Sequence, residues 1–230
     1  MKKYFNTSSS SNLCYLLFAW LASPPAKYLA SLRIKPNNIT TFGNLLFLLG
    51  LTLYLFHYDL SSFALLFFAY YLDFCDGSVA RRTNTVQTSS FRYDHWSDVT
   101  RFFLIFLSVG LRFSDATIWL FSFIGSSSFL YYNSLNHTLS DVLNSRQHTY
   151  PASTEEIAPK PNRGFVSLAF HYFSQTALFV NSLWLFLLLV LIYFPSLFMF
   201  ATALFFTLCS YRSLQIILIL SSIPRSIPNK

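Results

Sequence analysis

The sequence predicts an all-α membrane protein, a polytopic bundle of six transmembrane helices preceded by an interfacial amphipathic helix. Hydrophobic residues make up 53% of the 230 residues and charged residues only 11%, whereas soluble domains carry about 25% charged residues. Aromatic residues reach 20%, and they fall in apolar runs of the roughly 20 residues that a helix needs to cross a bilayer. These observations exclude an ordinary soluble domain.

The pattern of apolar and polar residues divides the chain into four parts. A polar, Ser-rich start predicts a disordered tail. The next segment holds two short apolar runs on either side of Ser23-Pro24-Pro25, and the apolar residues beside Lys27 and Arg33 predict a helix in the membrane interface. The expected parts are a tail at 1–12, an interfacial helix at 13–35, a six-span domain at 36–222 and a C-terminal tail at 223–230.

Six apolar runs predict the transmembrane helices. The expected spans are about 39–57, 60–82, 92–111, 115–137, 175–194 and 197–221. Between the fourth and fifth spans, the polar residues 139–163 include three prolines and predict a loop. Residues 165–174 predict an interfacial start of the fifth span, and Pro195 predicts a tight turn before the sixth.

The basic residues predict that both termini are cytoplasmic. In this orientation the cytoplasmic segments hold thirteen Lys and Arg residues and the outside loops hold only Arg112, as the positive-inside rule expects. The thirteen are Lys2, Lys3, Lys27, Arg33, Lys35, Arg81, Arg82, Arg92, Arg146, Lys160, Arg163, Arg225 and Lys230. This distribution explains the net charge of +7 without a nucleic-acid partner.

Four of the nine acidic residues fall within 26 positions, at Asp73, Asp76, Asp94 and Asp98. Residues three or four apart share a helix face, and a connection of about ten residues makes the second and third spans antiparallel neighbours. Ionised side chains beside apolar helices are costly and usually functional, and four like charges would repel. Hard oxygen ligands suit Mg²⁺, Mn²⁺ or Ca²⁺, so the spacing predicts a two-metal carboxylate site at the cytoplasmic face.

Small residues and arginines accompany these aspartates. Gly77 and Ala80 remove side-chain bulk, which leaves room either for a ligand against the helix or for a packed neighbouring helix. Arg81 at the membrane edge suits a phosphate, whereas Arg82 is expected to be a positive-inside flanking residue.

Two further polar residues lie close to the aspartates in sequence. His95 could contact a phosphate, although a histidine at a helix end needs no ligand role. Arg101 lies inside a span, one turn beyond Asp98, which is costly unless the side chain faces the site. We therefore expect Arg101 to contact an acceptor or a phosphate.

The acidic motif resembles the signature of the CDP-alcohol phosphatidyltransferase family. It reads Asp73-x-x-Asp76-Gly77-x-x-Ala80-Arg81 and, after twelve residues, Asp94-x-x-x-Asp98. The segment Pro36-Asn37-x-Ile39-Thr40 at the start of the first span is also similar to the family. Ser90 departs from the pattern, because the family usually has Gly four residues before the third aspartate. A catalytically inactive member is therefore one alternative.

The resemblance implies a phospholipid-synthesis enzyme with bound Mg²⁺ or Mn²⁺. Asp73, Asp76 and Asp94 would hold the metals, and Asp98 would be both a metal ligand and the general base. The nucleotide would contact Arg81, lie against Gly77 and Ala80, and have Asn37 and Thr40 nearby. The metals would neutralise the pyrophosphate of a CDP-linked donor, while Asp98 takes the proton of an acceptor hydroxyl that attacks phosphorus and expels CMP.

The substrates and one other functional class stay open. Chain length favours a bacterial inner-membrane enzyme that transfers a phosphatidyl group, such as a phosphatidylglycerophosphate-synthase-like enzyme. The residues from Gly77 to Thr83 and Asp94-His95 are instead similar to choline/ethanolamine phosphotransferases, which combine a CDP-amino alcohol with diacylglycerol. A membrane cation transporter is the alternative outside the family, but such sites lie at the midplane between repeated halves, and this sequence shows no repeat. The resemblance is also compatible with a homodimer.

Overall fold

A computed structural model describes the protein at residues 13–83, 88–149 and 182–222. Within these ranges the chain forms seven helices and no strand, so the all-α class is confirmed there. The helices are α1 (Leu13–Ser31), α2 (Pro36–Leu55), α3 (Asp59–Thr83), α4 (Thr88–Phe113), α5 (Ala116–Thr149), α6 (Ser182–Leu191) and α7 (Pro195–Ser222). The predicted tails at 1–12 and 223–230 and the interfacial start at 165–174 lie outside the described residues.

Three of the described helices are long and apolar enough to cross a bilayer. They are Pro36–Leu55, Asp59–Thr83 and Pro195–Ser221, which correspond to the first, second and sixth predicted spans. α4 contains four charged residues between 92 and 101, which lower its apolar character. Of the fifth predicted span, only residues 182–194 are described, and the helix there is Ser182–Leu191. The membrane class is therefore supported, and the number of six spans stays a prediction.

α1 is one continuous helix through its two prolines. Pro25 has no N–H, so it leaves the carbonyl of Leu21 without a helical donor. The Tyr71 hydroxyl of α3 donates a hydrogen bond of 2.9 Å to that carbonyl, and Arg82 donates one of 2.7 Å to the hydroxyl of Ser23. Tyr71 of α3 thus satisfies the carbonyl that Pro25 exposes.

Left-handed residues end α1 and α2 and reverse the chain. Arg33 has a φ of 55° and His57 a φ of 64°. In both turns, the N–H of the left-handed residue bonds the carbonyl three residues back, and the next N–H bonds the carbonyl five residues back, at 2.9–3.2 Å. This is the Schellman arrangement. It lets α2 and α3 follow each other with only three residues between them, 56–58.

α2 lies at the centre of the half of the bundle that carries the aspartates, because it packs against both α3 and α4. α5 packs against α4 and α7, and an aromatic cluster joins these three helices. The ring centroids of Phe102 and Phe129 are 4.1 Å apart, and Phe205 lies 5.8 Å from Phe102. Lipid provides no hydrophobic driving force between helices, so close packing of this kind and small interface residues hold such a bundle together.

α5 is longer than the sequence predicts. Its helix continues to Thr149, beyond the expected end of the fourth span at 137. The predicted loop is therefore wrong for 139–149, and residues 150–163 lie outside the described part. Polarity does not by itself end a helix; proline does, and the first proline after this span is Pro151.

Candidate active site

Asp73 and Asp76 lie in the half of α3 that ends at Thr83, on the side that meets α2. Asp76 is almost completely buried, with 4% of its surface exposed. Thr40, near the start of α2, donates a hydrogen bond of 2.6 Å from its hydroxyl to Oδ2 of Asp76. A carboxylate at this depth needs such donors, since an ionised group without them is destabilising. Thr40 thus lies directly beside Asp76.

Arg101 on α4 brings the two acidic helices together. Its Nη1 forms an ion pair with Oδ1 of Asp73 on α3 and lies 3.6 Å from Oδ1 of Asp98, one turn away on α4. Only 3% of the Arg101 side chain is exposed, against 21% for Asp73 and 28% for Asp98. The guanidinium is therefore the buried cation of the site, while both carboxylates keep an open side.

Asn44 on α2, itself held by Ser97 on α4, orients this guanidinium. Asn44 on α2 accepts a hydrogen bond of 3.1 Å from Nε of Arg101 through its Oδ1. The same amide donates through Nδ2 to the hydroxyl of Ser97 on α4. Gly43 makes room for the group, because a Cβ at that position would lie 3.3 Å from Nη2 of Arg101. Arg101 consequently has polar partners on α2, α3 and α4.

Asp73 and Asp98 lie on opposite sides of the separation between α3 and α4, here called the cleft. Within the described residues, α2 packs along both of these helices, whereas the backbones of α3 and α4 approach each other at few points. The sequence predicts that α3 and α4 are close neighbours. In the described residues they are joined mainly by side chains, principally by the Arg101–Asp73 pair. The Arg101 side chain bridges the space between α3 and α4.

The described side chains supply a metal-compatible chemistry but no assembled metal site. No group of three His, Cys, Asp or Glu among them is arranged to hold an ion. The side chains of Asp94, His95 and Ser90 lie outside the described part, although all three belong to the helical backbone of α4. The oxygen donors of Asp73, Asp76, Asp98 and Thr40 fit a hard divalent cation.

The residues expected at the nucleotide lie near the Thr83 end of α3 and at the start of α2; we call these residues the rim. Gly77 and Arg81 are one turn apart, and a Cβ at Gly77 would lie 3.4 Å from Nη1 of Arg81. Arg81 donates a hydrogen bond of 3.3 Å to the hydroxyl of Ser78 and folds back along its own helix. Ala80 is half-buried beside it, and Asn37 is exposed at the start of α2. The space that Gly77 leaves free is thus next to the guanidinium of Arg81.

Sequence reasoning missed Asn44 and Ser97. Both are uncharged and lie in or beside apolar runs, where a single Asn or Ser is unremarkable. The available signal was spacing, since Thr40 and Asn44 are one turn apart, as are Ser97 and Arg101. Polar residues in membrane helices usually face the bundle interior, which would have directed both pairs toward the aspartates.

An all-α bundle with membrane-length apolar helices and a carboxylate–arginine cleft belongs to the class of membrane proteins with a polar functional site. The model of the CDP-alcohol phosphatidyltransferase family matches residues 33–209, which is most of the chain and includes all four aspartates. The chain belongs to this family, and it is an enzyme that transfers phosphate-containing groups between a CDP-alcohol donor and a hydroxyl acceptor in phospholipid biosynthesis. No curated protein matches the sequence.

Proposed function

We propose that this protein transfers a phosphatidyl group from a CDP-linked donor such as CDP-diacylglycerol to an acceptor hydroxyl, with release of CMP. The observation that carries the proposal is the cleft in which Asp73 and Asp98, from two facing helices, share the buried guanidinium of Arg101. Asp76 adjoins them on α3 with its own donor, Thr40. The phosphate donor and the hydroxyl acceptor would meet between the carboxylates of α3 and that of Asp98 on α4.

Asp73, Asp76, Asp94 and Asp98 would together hold Mg²⁺ or Mn²⁺. Carboxylate oxygens are the ligands that these ions prefer. When bound, the metal would neutralise charge on the pyrophosphate of the donor.

Asp98 is proposed as the general base. Its partial exposure leaves the carboxylate accessible to an acceptor, while Arg101 and the α4 helix hold it in place. Asp98 takes the proton from the acceptor hydroxyl, the hydroxyl oxygen forms a bond to phosphorus, and the bond from that phosphorus to the CMP oxygen breaks. The released CMP carries away the electron pair of the broken bond.

The rim residues are proposed to recognise the donor. Gly77, Ala80 and Arg81 would contact the cytidine nucleotide and its phosphates, and Asn37 and Thr40 would lie beside it. Arg101 and His95 are proposed contacts of the acceptor or of a phosphate. Arginine suits this role because its planar fork donates two hydrogen bonds to one phosphate.

The proposed setting is a bacterial inner membrane, with six spans, both termini cytoplasmic and the cleft at the cytoplasmic face. α4 and α5 have 26 and 34 residues, and at about 1.5 Å per residue each exceeds the roughly 30 Å of a bilayer core. The basic residues at the Thr83 end of α3, Arg81 and Arg82, support the cytoplasmic side.

The substrates can be identified with purified protein in lipid nanodiscs and Mg²⁺ or Mn²⁺. CDP-diacylglycerol is supplied with glycerol 3-phosphate, inositol phosphate or serine in separate reactions, and lipid products are identified by mass. In parallel, CDP-choline and CDP-ethanolamine are supplied with diacylglycerol, the combination that the Gly77–Thr83 segment also resembles. We expect CMP release with CDP-diacylglycerol and one of the three acceptors. Release only from CDP-choline or CDP-ethanolamine would reverse the assignment of donor, and no release from any pair would refute the proposal.

A further inference from the structure

Arg101 occupies a position that a divalent cation would compete for. Its Nη1 pairs with Asp73 and lies within 4 Å of Asp98, so a positive group already neutralises two of the carboxylates proposed to bind metal. A cation and a guanidinium at the same carboxylate oxygens repel each other strongly where water is scarce. A metal bound through Oδ1 of Asp73 would therefore displace Arg101 from its closest contact.

One nitrogen of the guanidinium lacks a hydrogen-bond acceptor among the described residues. Its Nη2 is buried, and within the described residues no acceptor lies in hydrogen-bond range of it. Leaving a buried charged donor without an acceptor is unfavourable. A phosphate oxygen in the cleft would provide acceptors for a guanidinium that has left Asp73 and its Nε partner, Asn44.

We propose that Arg101 is an exchangeable counter-ion that couples metal binding to donor binding. Without metal, Arg101 neutralises Asp73 and keeps the cleft assembled. When a divalent cation takes Asp73, Arg101 is released to the phosphates of the CDP-linked donor, so that each ligand strengthens the binding of the other. This inference rests on the proposed metal-dependent function, and it adds a positioning role that Asn44 and Ser97 support through the orientation of the guanidinium.

The test measures Mn²⁺ binding by electron paramagnetic resonance, with and without CDP, on the full chain in nanodiscs. The variant Arg101→Met removes the guanidinium and keeps an apolar side chain of similar length. Without CDP, we expect its Mn²⁺ affinity to rise at least about tenfold, because the internal competitor is gone. The factor by which CDP raises Mn²⁺ affinity is expected to fall at least about fivefold, the lower range of coupling between two sites.

Arg112→Met is the matched control. Arg112 is also a largely buried arginine of α4, and it pairs with a single aspartate, Asp59, at 2.5 and 3.1 Å. It lies three helical turns from Arg101, toward the other end of the bundle. We expect this substitution to leave both Mn²⁺ affinity and its dependence on CDP unchanged.

A second variant keeps the test decisive if Arg101→Met fails to fold. Asn44→Ala retains the charge and removes one acceptor of the guanidinium, so the affinity for Mn²⁺ without CDP is expected to rise roughly fivefold, the equivalent of one net hydrogen bond. Unchanged or weaker Mn²⁺ binding in the folded variants would overturn the exchange, because a purely structural Arg101 predicts loss and not gain. Absence of Mn²⁺ binding in the unmodified protein would instead refute the proposed metal-dependent function and the exchange with it.

Discussion

Replacing Thr40 by Val tests whether the buried carboxylate of Asp76 depends on a donor from α2. Valine has nearly the shape of threonine, so the substitution removes the 2.6 Å hydrogen bond and creates no cavity. Hydrogen bonds between membrane helices average about 0.6 kcal/mol and reach about 1.7 kcal/mol, whereas bonds to charged groups contribute about 1.5–3 kcal/mol. Both residues are at most 4% exposed, so we expect a loss of about 1.5–2 kcal/mol in the free energy of unfolding.

The assay is equilibrium unfolding in mixed micelles, followed by helical circular dichroism. Thr52→Val on the same helix is the matched control, because the exposed Thr52 hydroxyl donates only to the carbonyl of Leu48 in its own helix, at 2.9 Å. Thr40→Ser keeps the hydroxyl and is expected to recover most of the stability. If Thr40→Val lowers the free energy of unfolding no more than Thr52→Val, or if Thr40→Ser lowers it as much as Thr40→Val, then Asp76 does not depend on the Thr40 hydroxyl.

Two further predictions concern helix packing. Tyr71→Phe should lower the free energy of unfolding by about 1 kcal/mol, because it removes the donor to the Leu21 carbonyl. In a Pro25→Ala background the helix supplies its own N–H, so the same substitution should cost almost nothing. Equal losses in both backgrounds, measured by the same unfolding assay, would contradict this. Gly50→Ala should lower the free energy of unfolding by about 1–3 kcal/mol, because the added Cβ would lie 2.9 Å from Cγ of Leu66 and 3.2 Å from its backbone nitrogen. A thermal midpoint equal to that of the unmodified protein would show that α2 and α3 can separate without loss of stability.

The helices with long apolar stretches could be predicted from the sequence. The first, second and sixth spans coincide with α2, α3 and α7 to within a few residues. The Asp73–Asp76 face also follows from helical spacing alone, since three residues along a helix return to the same side. Local composition and periodicity decide these features, so no tertiary information is needed.

Other features depend on contacts between distant parts of the chain. α1 continues through Pro25 because Tyr71, far along the sequence, satisfies the freed carbonyl of Leu21. The separation of α3 from α4 depends on how α2 packs against both, which the length of their connection does not reveal.

The partner of Arg101 could likewise not be read from spacing. The sequence places Arg101 one turn from Asp98, yet its closest partner is Asp73 on another helix. Helical periodicity predicts which residues share a face, but the choice among carboxylates within reach is made by tertiary geometry. Asn44 contributes to that choice through a bond that links α2 to α4.

The cleft between α3 and α4 is proposed to perform the transfer with Asp98 as its base, and the rate of CMP release tests this role. Asp98→Asn keeps the size of the side chain and removes the proton acceptor, so we expect a loss of about 10²–10⁴-fold. Asp59→Asn is the control, since Asp59 is half-exposed at the opposite end of α3, and we expect its rate to stay within about twofold of the unmodified protein on the usual small effect of surface charges. A folded Asp98→Asn variant that releases CMP at the rate of Asp59→Asn would contradict the account.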